Sequence, residues 1–411
     1  MNILVINHYA GSPYYGMEFR PYYLAKYWLA DGHRVKIVAA SFSHLRTVNP
    51  KVDTRVANEI HDGINYTWVK TPEYQGNGLK RVINIFTFLI RLFANSKKIV
   101  FDFKPDLIIT SSTYPLDSFL GVYYKWKIKC IQFHEVHDLW PLTLKEIGGF
   151  KWYHPFIVLL QLAENFAYKH SNAVISMLPN AKPYMVKHGL KEHFYHIPNG
   201  YFEKEWVDIV DLPIEHINLL TKLKQENKFI VMYAGGHAIS NALDQFVDSA
   251  HSLNSRDDIC FVLIGKGIEK ESLQSKAQQY NLRNIYFLPP VLKNSIPNLL
   301  SFADCLYLGW HYSPLYEHGI SPNKLIDYML AGKPIIHAVC FSNDIVGEVG
   351  CGYSVKSGKI DEITNAILSL VEMSEDQRKV IGNKGREYAQ RNNNYLILAD
   401  TFLQIYKKYS T

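Results

Sequence analysis

Residues 319–336, Gly-Ile-Ser-Pro-Asn-Lys-Leu-Ile-Asp-Tyr-Met-Leu-Ala-Gly-Lys-Pro-Ile-Ile, put a lysine and a carboxylate on the opening turns of one short helix. Ser321, Pro322 and Asn323 are helix-starting residues, with proline where a missing N–H costs least. Leu325, Tyr328 and Met329 fall at core-facing spacing, and Ala331-Gly332 ends the helix before Ile335-Ile336 opens a buried strand. The amides of Asn323 and Lys324, with the Lys324 ammonium beside them, suit a phosphate. Asp327, one turn on, offers a carboxylate to sugar hydroxyls near that phosphate. Together these residues suggest a nucleotide diphosphate site.

A second chemical cluster is His134-Glu135-Val136-His137-Asp138-Leu139-Trp140-Pro141. Two histidines and two carboxylates at the end of a strand suit proton transfer or hydroxyl positioning. Zinc is disfavoured, because four ligands on one short segment lack the separation such sites use. A third is the loop His8-Tyr9-Ala10-Gly11-Ser12-Pro13-Tyr14-Tyr15-Gly16, with glycine hinges and aromatic rings. It lacks the Gly-x-Gly-x-x-Gly of a dinucleotide loop.

Strands alternating with helices must position these groups, the pattern of parallel α/β sheets. Expected strands are Ile3–Ile6, Val35–Ala39, Leu107–Thr110, Cys130–Phe133, Ala173–Ser176 and His196–Ile197 in a first half. In a second half they are Phe229–Tyr233, Cys260–Ile264, Ile285–Leu288, Cys305–Leu308 and Ile335–Ala338. Pro198-Asn199-Gly200 turns the chain out of the first half. The expected domains are 1–200 and 201–394, with a last helix from 395 packing back on the first domain. Ligands in such sheets bind beyond the C-terminal strand ends.

The motifs resemble those of family 4 glycosyltransferases, retaining enzymes of the GT-B fold. Asp327 to Ile336 is similar to the family's Glu-Ala-Met-Ala-x-Gly-x-Pro-Val-Ile. Gly32-His33-Arg34-Val35, Ile197-Pro198-Asn199-Gly200, Tyr233-Ala234-Gly235-Gly236 and Ile264-Gly265-Lys266-Gly267 resemble further family motifs in the same order. Asp-Leu-Trp-Pro at 138–141 and Ser-Pro-Asn-Lys at 321–324 are similar to bacterial members that build O-antigen and capsule. The resemblance implies two Rossmann-like doubly wound parallel-sheet domains facing a cleft, with the acceptor on the first and the nucleotide sugar on the second.

It also implies roles. For the leaving diphosphate, Lys324 with the Asn323 and Lys324 amides is the first choice, the Gly235, Gly236 and His237 backbone the second and Lys266 the third. Asp327 takes the place of a glutamate that contacts ribose. The preceding family glutamate falls on Gly319, so the adjacent Glu317 and His318 are candidates to supply a side chain to the sugar, and Ser321 is a further donor-site candidate. Many members carry an arginine and a lysine after the Tyr-x-Gly strand, where this chain reads Gly236-His237-Ala238-Ile239-Ser240-Asn241. His137 matches a histidine near the reacting carbon, with Asp138 as an alternative catalytic group. Glu135, Tyr14, Tyr15, Gly16, Arg20 and Trp140 are the acceptor-side candidates, on a loop read as mobile. No Asp-x-Asp is present, so neither metal nor cofactor is expected; the nucleotide sugar is a substrate. A UDP-sugar donor and a lipid-linked sugar acceptor follow from the resemblance. A GT-B UDP-sugar 2-epimerase and an inactive nucleotide-sugar-binding protein are the alternatives.

Composition sets the remaining bounds. A chain of 411 residues, nearly half of them apolar, accommodates two cores. A net charge of +6 does not call for nucleic acid. The five scattered cysteines form no CxxC pair, which suits a reducing compartment. No leader peptide or run of about 18 apolar residues is seen, so a cytoplasmic protein is expected. Residues 79–98 carry Lys80, Arg81, Arg91, Lys97 and Lys98 around an apolar run. As a helix, with Asn84, Thr87 and Arg91 as a narrow polar stripe, it suits an anionic membrane surface. A buried helix between strands is the alternative reading.

Overall fold

A computed structural model describes residues 1–410 except 18, 77 and 341–343. The chain divides into two compact units. The first is Met1–Asn199 with His318–Ile320 and the segment from Tyr395; the second is Gly200–Glu317 with Ser321–Asn394.

In the first unit, strands β1 (Asn2–Ile6), β2 (Arg34–Ala40), β3 (Val56–His61), β4 (Ile64–Val69), β5 (Leu107–Thr110), β6 (Ile131–Val136), β7 (Ala173–Ser176) and β8 (Phe194–His196) form one sheet. The order is β3-β4-β2-β1-β5-β6-β7-β8, parallel except for the β3–β4 hairpin. That hairpin was not among the expected strands. Asp62 and Gly63, both at positive φ, make its turn. Consecutive strands leave β1 in opposite directions, so the loops after β1, β5 and β6 meet at the switch point. Those loops carry His8, Ser111 and His137.

The second unit has β9 (Phe229–Ala234), β10 (Ile259–Ile264), β11 (Ile285–Leu288), β12 (Cys305–Gly309), β13 (Ile335–Val339) and β14 (Gly352–Lys356). They order as β11-β10-β9-β12-β13-β14, all parallel. Alternate residues feed two cores, because successive side chains point to opposite faces. Ile230, Met232, Val262 and Leu306 pack on one face; Val231, Tyr233, Phe261 and Tyr307 pack on the other. Each such side chain contributes roughly 1.5–3 kcal/mol. The switch point lies between β9 and β12. The turn Gly235–His237 follows β9, and the helix Asn323–Ala331 follows β12.

Helix Leu79–Ala94 departs from expectation. Asn84 is fully buried, its amide donating to the Pro72 carbonyl at 2.7 Å, and Arg91 donates to the Lys70 carbonyl. The expected polar stripe therefore belongs partly to the inner face, beside Ile85, Phe88 and Leu92. The outer face shows Leu79, Ile83, Ile90 and Phe93 exposed, so the helix is not buried on all sides. Among the described residues, no helix is long and apolar enough to cross a membrane.

Candidate functional site

In the second unit the chemistry centres on Lys324. Pro322, at the N-cap position, precedes its helix with extended backbone and makes no side-chain cap. Leu325, Tyr328 and Met329 are buried at the expected spacing. Lys324 Nζ donates to Tyr233 Oη at 2.8 Å and to Asn241 Oδ1 at 2.8 Å. Tyr233 Oη and Asn241 Nδ2 in turn donate to the Gly236 carbonyl, at 2.7 and 2.8 Å. The four residues close a ring that fixes the ammonium over the turn after β9. Two of its three N–H bonds are made with these partners. Burial lowers its pKa to about 8, so it is cationic at neutral pH but easily discharged.

Glycine is required at that turn by close approach. A Cβ on Gly235 would lie 2.5 Å from Lys324 Cδ, and one on Gly265 would lie 1.9 Å from the Gly235 carbonyl oxygen. The two strand-end loops are thus in backbone contact, and His237 N–H donates to the Lys266 carbonyl at 2.9 Å. The Lys266 side chain is exposed, as is Glu317, which sits in the turn Pro314–His318. Asn323 is exposed at the helix start, Ser321 and Gly235 are half-buried, and Gly236 is exposed.

Asp327 is buried one turn into the helix, and both its oxygens accept from Lys293 Nζ, at 2.7 and 2.6 Å. Lys293 was not foreseen. It lies 34 residues upstream in a solvated-looking segment, with no local pattern to mark it. A separate cavity of about 510 Å³ is lined by Lys224, Lys333, Arg378 and Arg386. It opens at the starts of β12 and β13, the end of the sheet away from these loops.

The first unit builds a buried network at the ends of β5 and β6. Glu135 accepts from Arg20 Nε at 2.8 Å and from Ser111 Oγ at 2.5 Å, and lies 3.3 Å from His137 Nε2. Ser111 Oγ also meets His137 Nε2 at 2.9 Å. Burial pushes the Glu135 carboxyl up, but Arg20, His137 and Ser111 outweigh it and hold the group well below the usual range. Asp138, the next residue out, is exposed. It borders a tight recess with His134, Trp140, Glu164 and Tyr168, with room for about 10 Å³ of water-sized space. Glu164 was also missed. Its signal is a lone acid in the apolar helix Pro155–His170. It accepts from Gln161, Tyr168 and Tyr184, yet burial lifts it to about 7.

Five acceptor-side expectations need correction. Arg20 is buried, and besides Glu135 it donates to the Pro198 and Ile197 carbonyls at 2.5 and 3.0 Å. Its guanidinium is engaged in tying the first helix to the end of the unit, which takes Arg20 and Glu135 away from direct acceptor contact. Tyr15 is core: it is 3% exposed and donates to Glu59 Oε1 at 2.5 Å. Trp140 is likewise core, packed with Tyr9, Tyr114 and Leu160. The loop 8–16 is pinned rather than free. Buried Arg46 donates to the His8, Ala10 and Ala40 carbonyls, and Gly16, at φ +94°, bridges to Ser12 and Arg46. Pro13 and Tyr14 stand out from it, Tyr14 at 61% exposure.

Two family models cover most of the chain. "Glycosyltransferase Family 4" matches residues 14–202, and "Glycosyl transferases group 1" matches residues 220–388. One curated relative is the Escherichia coli (strain K12) protein WcaI, assigned as a colanic acid biosynthesis glycosyl transferase. It is 32% identical over 118 residues, a stretch spanning 28% of either chain. Among solved structures, sucrose-phosphate synthase from Thermosynechococcus elongatus superposes with a TM-score of 0.73. The identity is 17%, covering 99% of this chain and 98% of that one. Anabaena Alr3699/HepE in complex with UDP gives 0.68 at 14% identity, covering 99% and 100%. These structures share the GT-B fold.

Proposed function

The chain belongs to the family 4, group 1 glycosyltransferases of the GT-B fold, and on that premise we propose that it moves a sugar from a UDP-sugar to a lipid-linked sugar in cell-envelope polysaccharide assembly. The observation that carries the donor half is the Lys324 ammonium, held by Asn241 and Tyr233 over the glycine turn after β9. A cation with an N–H to spare, beside a helix start and a backbone-lined turn, stabilises charge as a diphosphate departs. UDP is the favoured nucleotide because Alr3699/HepE is seen with UDP. Asp327, with Lys293 on it, supplies the polar pair for the ribose.

On the acceptor side, Asp138 is the exposed carboxylate. His137 is fixed behind it by Ser111 and Glu135, which makes it a positioning group for the loop. No carboxylate is assigned as a nucleophile: the acceptor hydroxyl attacks from the face the diphosphate leaves, and the departing phosphate takes its proton. Configuration is then retained, and charge is handled by Lys324 rather than by a metal. The polysaccharide context draws on WcaI and on WaaG, a glycosyltransferase involved in lipopolysaccharide biosynthesis.

A lipid-linked acceptor also suits the exposed stripe Leu79, Ile83, Ile90 and Phe93, bordered by Lys80, Lys97 and Lys98. An apolar stripe with basic ends is suited to lying on an anionic membrane face. The test is a panel of nucleotide sugars read by thermal stabilisation, followed by product analysis with and without a lipid-linked acceptor. Selective stabilisation by UDP-sugars and acceptor-dependent product support the reading. Epimerised UDP-sugar without acceptor, or stabilisation without turnover, contradicts it.

A further inference from the structure

The His237 side chain is unexplained by the donor site as described above, where only its backbone takes part. The ring is fully buried, yet neither Nδ1 nor Nε2 has a hydrogen-bond partner among the described residues. It is the one described side chain with two such buried nitrogens. A buried polar group without a partner costs free energy, and native proteins rarely retain one without a use for it.

Its surroundings indicate the use. The ring sits between the two glycine loops: a Cβ on Gly265 would fall 3.2 Å from Nε2, and one on Gly267 would strike the His237 backbone. Tyr233 faces it from β9, ring centroids 6.1 Å apart. Lys324 approaches from the helix Asn323–Ala331 and Lys270 from the helix Lys270–Gln279. Both are close enough to act on its charge, and Lys270 Nζ lies 3.5 Å from the Gly265 carbonyl. Lys266 and Glu269 touch His237 through their backbones, which accept from its N–H and donate to its carbonyl. Burial and then Lys270 and Lys324 lower the ring's pKa to about 4, so it is neutral at pH 7. An unsatisfied imidazole between two ammonium groups fits a multiply charged anion.

We propose that His237 is a further donor-site residue, and that its ring takes a proton from solvent as the donor's diphosphate binds, donating to it as an imidazolium together with Lys270 and Lys324. This rests on the donor reading above and deepens it. Burial, and then two positive charges, hold the ring neutral; the diphosphate brings at least two negative charges, which reverse the Coulombic part and give the ring a hydrogen-bond acceptor. One proton enters with each donor and returns to solvent when UDP leaves. Donor affinity therefore rises as pH falls from the bound-state pKa of the ring toward its free-state value. Lys270 gains a role that no motif in the sequence marked.

The experiment is calorimetric titration of UDP at pH 6.5, in two buffers of different ionisation enthalpy, on the wild type and on His237→Asn and His237→Gln. At this pH Lys324 is already protonated, and the terminal phosphate of UDP contributes equally to all three proteins. The wild type is expected to take up about half a proton or more beyond either variant. Its affinity advantage, about 3- to 30-fold at pH 6.5, should shrink toward pH 8.5. Equal proton uptake with UDP still binding overturns the histidine assignment alone. No UDP binding by the wild type overturns the donor reading and this proposal with it. Should neither variant fold, UDP-glucose on the wild type decides, because its phosphates do not titrate in this range: net uptake supports the proposal and zero uptake overturns it.

Discussion

Lys324 Nζ donates to Asn241 Oδ1 at 2.8 Å across 83 residues of sequence. Asn241 stands in the segment after the Tyr-x-Gly strand, where many family 4 enzymes carry a cationic pair. This chain has no cation between Gly236 and Asn241, and delivers one to the same place from the next helix along the site. On the proposed donor reading, this relationship is how a chain lacking that pair holds a diphosphate. It also makes the charge titratable, since a buried ammonium gives up its proton more readily than an arginine.

An alkaline limit on donor binding follows. Lys324, at about 8, loses its charge above that pH in the free protein. UDP affinity should fall progressively from pH 8 to 9.5, and Lys324→Arg, if it binds UDP, should lack that fall. Stability has the opposite slope. The unfolded lysine keeps its proton to about 10.4 while the folded one releases it near 8, so folding becomes more favourable as pH rises through that window. Lys324→Met should therefore melt no lower than the wild type at pH 7, and a lower melting temperature would count against a costly buried charge.

Arg20 is a fold residue in this account. Removing it leaves Glu135 buried without its guanidinium, with only Ser111 and His137 beside it, so Arg20→Ala should lower unfolding free energy by about 3–5 kcal/mol in urea titration. Glu135 is held below its unfolded pKa, so this stability is present above about pH 4.5 and is lost as pH falls toward the folded value. A variant with normal stability but a raised acceptor KM would return Arg20 to the acceptor site.

Asp138 is assigned to the acceptor hydroxyl. Asp138→Asn should reduce kcat by about 10²-fold, the cost of losing a group that orients the acceptor hydroxyl. UDP affinity should stay within about twofold, because the residue lies outside the donor unit. A parallel loss of UDP binding would contradict the assignment.

Membrane docking is assigned to the outer face of the helix Leu79–Ala94. Ile90→Glu with Phe93→Glu should abolish co-sedimentation with vesicles containing anionic lipid, and Lys97→Glu with Lys98→Glu should weaken it in a salt-dependent way. Arg81 is unsuitable for this test, because it is directed inward onto Tyr9 and Trp140. Unchanged co-sedimentation of both variants would remove the membrane from the account.

Local spacing marked the helix start that carries Lys324. Proline, asparagine and lysine before an apolar stripe mark a helix start wherever they occur, and Lys324 did not need its partners to be noticed. What escaped was set by residues far apart in the chain. Nothing near Arg20 announces Glu135, 115 residues on, so an engaged guanidinium read as a free one. Lys293 and Lys270 are ordinary surface lysines until the fold brings Asp327 and His237 beside them. The expected helix at 79–98 ends at Ala94 in the structure, and its pattern could not orient it: Asn84 is inside because the Pro72 carbonyl is there to receive its amide. The β3–β4 hairpin was within reach, since Asp62-Gly63 between two strand-forming runs is a strong turn signal. Tyr15 and Trp140 show the ambiguity of aromatic rings, which serve cores and sugars alike.

The central claim is that Lys324 is the cation on the donor diphosphate, and titration calorimetry of UDP into the wild type and Lys324→Ala tests it most directly. The account predicts a loss of about 1.5–3 kcal/mol, or about 10- to 150-fold in affinity, with the variant folded and melting no lower than the wild type. UDP affinity unchanged between the two proteins would contradict it.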